Sequence, residues 1–174
     1  MLIRREMLER IGGIESIRDA LIDDCALAQR VRSMGGHVWL GVSDLPIRSI
    51  RVYDGASEIR AMIARSAFAQ LRHSGLLLAG TIAGMALTYL APVALLFSQD
   101  GVARACGAAA WVTSAALFRP TVRMYGAPRW TAFALPGIAS FYLIATVESA
   151  VLYWSGKGGA WKGRVQDSLP SASH

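Results

Sequence analysis

Long uncharged stretches fill the second half of this chain. Residues 75–97, GLLLAGTIAGMALTYLAPVALLF, contain no charged side chain. A helix of that length rises about 34 Å, which is enough to cross the hydrocarbon layer of a membrane with some tilt. Two further apolar stretches follow, at residues 102–118 and 130–154. The pattern predicts an α-helical transmembrane region over residues 75–154.

In the polar first part of the chain, residues 1–56, the spacing of apolar residues predicts short strands and helices. Residues 1–4 and 37–43 predict strands, whereas residues 5–13 and 22–36 predict helices that end at glycines. A strand, two helices and a strand in this order indicate an α/β or α+β layer, and we expect an α/β fold. Because about 55 residues are marginal for an independent core, we expect most of a soluble domain to be missing from this chain.

Residues 57–74 lie between these two parts and predict an amphipathic helix. Apolar residues alternate there with arginines, as in a helix that lies in the membrane interface with its charges toward the headgroups. The apolar positions are Ile59, Met62, Ile63 and Phe68, and the basic positions are Arg60, Arg65 and Arg72.

The distribution of basic residues indicates which kind of partner the chain binds. The chain carries a formal net charge of +6, and its basic residues gather beside the apolar stretches rather than among exposed aromatic residues. This distribution favours anionic membrane lipids over nucleic acid as the partner. Neither Cys25 nor Cys106 has a second cysteine or a histidine at metal-ligand spacing, so the sequence predicts no metal site.

Three segments carry a resemblance to a known family. They are MLIRREMLERIGGIESIRDALIDDCALAQRV, AQLRHSGLLLAGTIAGMALTYLAP and GGAWKGRV. The chain resembles the membrane-bound family 2 glycosyltransferases, in particular those associated with hopanoid biosynthesis. The resemblance implies that residues 1–56 are the C-terminal remnant of a GT-A-like catalytic domain, and that the chain is a C-terminal portion of such an enzyme.

The same resemblance implies a nucleotide-sugar donor and a lipid acceptor for the complete enzyme. It also implies a divalent metal such as Mg²⁺ or Mn²⁺, held by an Asp-x-Asp motif in the donor-binding half. No Asp-x-Asp occurs in this sequence. We therefore expect the chain to be inactive by itself, and its own cofactor stays unknown.

The resemblance assigns an acidic pair, Asp23 and Asp24, to catalysis. An acceptor hydroxyl loses a proton as it attacks the anomeric carbon, and a positioned carboxylate can accept that proton. Asp24 is the candidate base and Asp23 its neighbour or substitute. The alternative is ordinary stabilisation of a helix start, where carboxylates accept from free N–H groups.

Substrate binding is assigned by two further motifs. Related synthases carry Gln-x-x-Arg-Trp in an interfacial helix, and the match here is Gln70 with Arg72, at a shorter spacing and with histidine at the aromatic position. An arginine fork suits a diphosphate, although membrane anchoring explains Arg72 equally well. In the basic tail, residues 155–174, the predicted binding residues are Trp161, Lys162 and Arg164.

The positions of the basic residues do not fix the membrane topology. Arg119, Arg123 and Arg129 indicate that the loop between the second and third apolar stretches is cytoplasmic, together with the catalytic segment. Three full crossings then place the basic tail outside, against the same rule. One stretch is therefore expected to be re-entrant or interfacial, and the short second stretch is the candidate.

The sequence thus predicts part of a multi-pass glycosyltransferase of the cell membrane. A second hypothesis is a small non-catalytic membrane protein that acts through a partner, bound through the Gly-x-x-x-Gly of Gly80 and Gly84. A third, a transporter or channel subunit, rests only on the apolar stretches and on Glu148 within the third of them.

Overall fold

The computed structural model describes residues 1–18, 20, 22–41, 55–158, 160–161 and 164–165. Helices make up most of these residues: α1 (Arg5–Arg10), α2 (Asp23–Ser33), α3 (Ala56–Gln70), α4 (Gly75–Met85), α5 (Ala91–Leu95), α6 (Gly101–Met124) and α7 (Leu135–Trp154). The shorter elements are the 3₁₀ turns Ile14–Ile17 and Arg129–Ala134, the π-helical turn Ala86–Leu90, and the strands β1 (Ala160–Trp161) and β2 (Arg164–Val165).

The α/β prediction is wrong, because the described residues contain no GT-A-like layer of strands and helices. Residues 1–4 and 37–41 form no strand, and residues 42–43 of the second predicted strand lie outside the described part. The side chains of Trp39 and Leu40 are 86% and 97% exposed. Alternation over so few residues stabilises a strand only when a partner strand and a covering layer are available.

The N-terminal unit, residues 1–41, is instead a small helical unit. α1 and α2 lie where helices were predicted, and both end at glycines with positive φ, 86° at Gly12 and 76° at Gly35. Its buried core consists of Ile11, Leu27 and Val31. The partly buried residues around this core are Ile3, Met7, Leu8 and Ile17.

Three helical segments are long and apolar enough to cross a membrane, by length and composition: Gly75–Leu95, Gly101–Met124 and Arg129–Trp154. They agree with the predicted transmembrane region and indicate that the protein associates with a membrane. The second helix, α6, extends six residues past the end of the predicted stretch at residue 118, because it continues through Pro120 to Met124.

A π-helical turn joins α4 to α5. Pro92 has no backbone N–H, and its ring would clash with the carbonyl of Thr88 in a regular α-helix. The wider turn at Ala86–Leu90 ends two residues before Pro92, includes Thr88 and relieves that conflict. The first apolar segment therefore continues as one helix from Gly75 to Leu95.

Two packing contacts organise the helical region. α3 packs against α7, and this contact buries Phe68 to 1% exposure beside Ala150. α5 packs against α6 at Gly107, where a Cβ atom would lie 2.5 Å from the carbonyl oxygen of Pro92. Part of the apolar face of α3 thus packs on protein, while Ile59 and Met62 stay 39% and 40% exposed.

Candidate functional site

The acidic pair lies at the first turn of α2. The residue before the helix, Ile22, provides no side-chain cap. The Asp23 carboxylate accepts a hydrogen bond from the N–H of Asp24 at 3.0 Å, and the Asp24 carboxylate accepts one from the N–H of Cys25 at 2.7 Å. Both aspartates are exposed. Each carboxylate thus stabilises the helix start by accepting a backbone hydrogen bond, as the alternative interpretation predicts.

The two aspartates are adjacent in the first turn of α2. Leu27, which is buried in the core, lies four residues after Asp23 and three after Asp24. Asp23 shares its register with Ala26 and Arg30. These two residues line an open groove between α2 and the preceding turn, with Ser16, Ile17, Ala20, Gln29 and Ser33. Asp23 lies three residues before Ala26, and neither aspartate is among the residues that line the groove.

The start of α2 carries two adjacent carboxylates and the Cys25 thiol. Neither Asp23 nor Asp24 forms an ion pair within the described ranges. The pKa of the Cys25 thiol lies above its ordinary value, first because of desolvation and then because of the charge and hydrogen bond of Asp24. A negative charge beside the thiol disfavours the thiolate.

Arg72 lies in the turn between α3 and α4, in an unusual backbone conformation. Arg72 and His73 both have φ of 53°, in the left-handed region that glycine usually occupies after a helix. The His73 N–H donates to the Phe68 carbonyl at 3.1 Å, and the Arg72 N–H donates to the Ala69 carbonyl at 2.9 Å. These two bonds form a Schellman motif. Gln70 and the Arg72 side chain are exposed.

An aromatic cluster holds this turn against the end of α7. The ring of His73 stacks on Tyr153, with centroids 4.0 Å apart and planes 13° from parallel. Phe68 makes edge contacts with His73, Tyr153 and Trp154 at 5.3 to 5.5 Å. Such contacts offset the strain of two non-glycine residues at positive φ. The cluster therefore brings Arg72 close to the point at which the tail begins.

The tail contains the third predicted motif, and part of it is described. Trp161 of β1 lies opposite Arg164 of β2 in an antiparallel pair. Lys162 lies outside the described residues. The backbone register thus makes Trp161 and Arg164 neighbours, although they are three residues apart in sequence.

The sequence analysis did not predict an ion pair that joins α3 to α7. Glu148 of α7 accepts two hydrogen bonds from the guanidinium of Arg60 on α3, at 2.7 and 3.2 Å. The hydrogen bond to Glu148, and then the charge of Glu148, raise the pKa of Arg60 above its ordinary value. The sequence contained the signal, because an acid in an apolar helix needs a cation or water nearby. The Ser149 hydroxyl also accepts the Phe68 N–H at 3.0 Å.

The predicted site residues thus fall into two groups. Arg72 lies beside the end of α7, whereas Asp23 and Asp24 lie in the N-terminal unit, and no hydrogen bond or ion pair of the described residues joins the two groups. Among those residues, no three histidine, cysteine or acidic side chains come together in a way that suits a metal ion.

Comparison with known proteins gives one match. The model of a family described as glycosyl transferase family 21 matches residues 1–157. No curated protein and no solved structure matches the chain.

Proposed function

The chain belongs to glycosyl transferase family 21, and on that premise we propose that it acts in the transfer of a sugar from a nucleotide-sugar donor to a lipid acceptor. The observation that carries this proposal is the family match, which covers residues 1–157 of 174. The three apolar helical segments support a lipid acceptor, because a membrane-embedded enzyme meets such a molecule in the bilayer.

The proposed base is Asp24, with Asp23 as the alternative. The acceptor hydroxyl oxygen forms a bond to the anomeric carbon, the bond from that carbon to the diphosphate oxygen breaks, and the nucleoside diphosphate leaves. The carboxylate takes the hydroxyl proton. Exposure, and the lack of an ion pair among the described residues, support either aspartate in this role.

The proposed diphosphate-binding residue is Arg72, assisted by Gln70. Its side chain is exposed and makes no hydrogen bond or ion pair within the described part of the chain. The Schellman turn fixes its backbone, so that less freedom is lost when the guanidinium pairs with phosphate oxygens. Trp161, Lys162 and Arg164 are proposed to bind the donor phosphates or a lipid headgroup from the tail.

The finer proposal concerns the acceptor and the compartment. The resemblance to hopanoid-associated enzymes suggests a hopanoid-type lipid as acceptor. We place the protein in the cell membrane with residues 1–56 on the cytoplasmic side, which suits the arginines around the apolar stretches and the cytoplasmic supply of nucleotide sugars.

The test is sugar transfer by the gene product as the cell makes it. Membranes containing the wild-type protein are incubated with radiolabelled nucleotide sugars, and label is measured in extracted lipid. We expect Asp24→Asn to reduce transfer by about 10²- to 10⁴-fold, the usual contribution of a general base. Asp23→Asn is made in parallel, because the larger loss identifies the base.

A matched control is Asp100→Asn, which changes the same chemistry at the start of α6. Asp100 caps that helix by accepting from the Val102 N–H at 3.0 Å, and asparagine caps equally well. Wild-type transfer is expected from this variant. Full transfer by both Asp23→Asn and Asp24→Asn, at wild-type protein levels in the membrane, would contradict the proposed base and leave only the helix-stabilising role.

A further inference from the structure

We propose that the third apolar segment, Arg129–Trp154, together with the preceding residues 125–128, does not cross the membrane but enters and leaves it through one face. Two terms describe the geometry. The α4 face is the side of the membrane at which α4 begins, and the turn face is the side at which residues 96–100 join α5 to α6. The inference concerns how the chain sits in a lipid bilayer and does not depend on the proposed activity.

The first step is the hairpin of α4–α5 and α6. Gly107 lies directly against Pro92 and Leu95, since a Cβ atom there would lie 2.5 Å from the Pro92 oxygen and 2.8 Å from the Leu95 Cβ. With only five residues between α5 and α6, the two helices run antiparallel. α6 has 24 residues and rises about 36 Å. If α4–α5 crosses the bilayer, α6 returns to the α4 face.

The second step is a fold-back of the chain along α6. The Ala127 N–H donates to the Val122 carbonyl at 3.0 Å, and Ala132 packs in one buried cluster with Ala115. The Trp111 indole N–H then donates to the Phe133 carbonyl at 3.2 Å. Residue 133 is therefore level with residue 111, which lies about 20 Å along α6 from its end at Met124. The 3₁₀ turn returns deep into the apolar layer.

The third step is the direction of α7. Its last turn lies beside the start of α4, because Ala150 packs with Leu78 and Tyr153 stacks on His73. α7 also contacts the π-helical turn, which lies further along the first apolar segment. Because the last turn of α7 is held at the start of α4, that contact must come from earlier residues of α7. α7 thus runs antiparallel to α4 and ends at the α4 face. Counted back from Ala150, the 15 residues to Leu135 rise about 22 Å, so α7 begins near the level of α5 and returns from there to the α4 face.

The polar groups of the fold-back fit this arrangement. Non-helical backbone is tolerated at membrane depth where it is covered by protein. The 3₁₀ turn packs on α6, and the Phe133 carbonyl at its inner end is satisfied by Trp111. An exposed apolar surface, including Phe133 at 48% and Ile144 at 59%, then faces lipid.

The charges also fit, and they point to the cytoplasm. Arg119, Arg123 and Lys157 all lie at the α4 face in this arrangement, so the positive-inside rule makes that face cytoplasmic. Three full crossings would place Lys157 on the opposite side. The tail motif then shares one face of the membrane with the turn that carries Arg72.

The experiment is cysteine labelling in sealed vesicles of known orientation. Cys25→Ser and Cys106→Ala remove the native thiols, and single cysteines are introduced at exposed positions by Glu6→Cys, Gln99→Cys, Lys157→Cys and Phe133→Cys. A membrane-impermeant maleimide is added to either side. We expect Lys157→Cys to label from the same side as Glu6→Cys, and Gln99→Cys to label only from the opposite side.

Phe133→Cys separates the two topologies independently. In the re-entrant arrangement its thiol lies within the bilayer, so it should resist the reagent from both sides and react after detergent is added. In a crossing arrangement it lies near the aqueous α4 face and labels from there. Labelling of Lys157→Cys together with Gln99→Cys would overturn the proposal. Protease protection of a C-terminal tag on the unmodified chain gives the same answer without cysteine replacements.

Discussion

The helical region α3–α7 and the N-terminal unit are stabilised by different kinds of contact. In the helical region, Arg60 with Glu148 and Phe68 with Ser149 are joined across 88 and 81 residues of sequence, and Ala145 and Ala150 are fully buried. In the N-terminal unit, the described core is three buried residues. The helical region therefore depends on contacts between residues far apart in sequence, whereas the N-terminal unit depends on turns and a small core formed by residues closer in sequence.

The largest effect should come from removing the central residue of the long-range contacts. We expect Phe68→Ala to lower the free energy of unfolding by about 3–5 kcal/mol, as for other buried aromatic residues, because α3 and the Arg72 turn lose their anchor on α7. Thermal unfolding of the detergent-solubilised protein measures this change.

The matched variant in the N-terminal unit is Leu27→Ala. Leu27 is 8% exposed and belongs to the small cluster, so we expect a loss of about 2 kcal/mol, at the low end for such changes. Hydrogen exchange should show it only in α1 and α2. Equal losses in the two variants, or loosening of α7 by Leu27→Ala, would contradict the proposed difference between the regions.

A smaller effect is expected where α5 meets α6. Gly107→Ala introduces a Cβ at 2.5 Å from the Pro92 oxygen, so the helices must separate, at a cost of about 1–3 kcal/mol. Gly80→Ala is the control, because a Cβ at Gly80 meets no atom within 4 Å. That variant should change stability by less than about 0.5 kcal/mol.

The Gly80→Ala variant also tests the second hypothesis, that the chain is a non-catalytic membrane protein that acts through a partner. If a partner helix packs on Gly80 and Gly84, Gly80→Ala should weaken an oligomer without changing the fold of the monomer. Cross-linking in native membranes separates that result from a purely intramolecular effect. Equal destabilisation by Gly80→Ala and Gly107→Ala in detergent would instead contradict the packing of α5 on α6.

The sequence could predict elements whose formation depends on their own composition. The three apolar segments follow from length and absence of charge, and α1 and α2 follow from apolar spacing and glycine ends. The predictions of strands at residues 1–4 and 37–41 were wrong. A strand needs a partner strand, and the alternation of its own residues does not reveal whether one is present. The fold-back of residues 125–134 depends on Trp111, 22 residues before Phe133, and so lies beyond any local pattern.

The candidate site divides in the same way. The residues that the motifs selected, Asp23, Asp24 and Arg72, are exposed, and their roles stay predictions. Proximity could not be read from the motifs. The closeness of Arg72 to the end of α7 arises from the stacking of His73 on Tyr153, 80 residues apart in sequence. His73, which replaces the aromatic position of the family motif, is thus the residue that holds the turn.

The smallest expected effect is at the exposed start of α2. The pKa of Cys25 is raised first by desolvation and second by Asp24. Asp24→Asn removes the second cause, so the pKa should fall part of the way toward its ordinary value. More thiolate is then present at neutral pH, and because the thiolate is the nucleophile, alkylation by iodoacetamide should become modestly faster.

The rate is measured against pH in a Cys106→Ala background, which leaves a single thiol, and Asp23→Asn is the control because Asp23 is not a cause of the shift. An alkylation rate unaffected by Asp24→Asn would mean that the Asp24 carboxylate does not lie beside Cys25. The 2.7 Å bond from the Cys25 N–H, and with it the geometry proposed for the base, would then need revision. A rate increase in that variant alone would fix the Asp24 side chain at the first turn of α2.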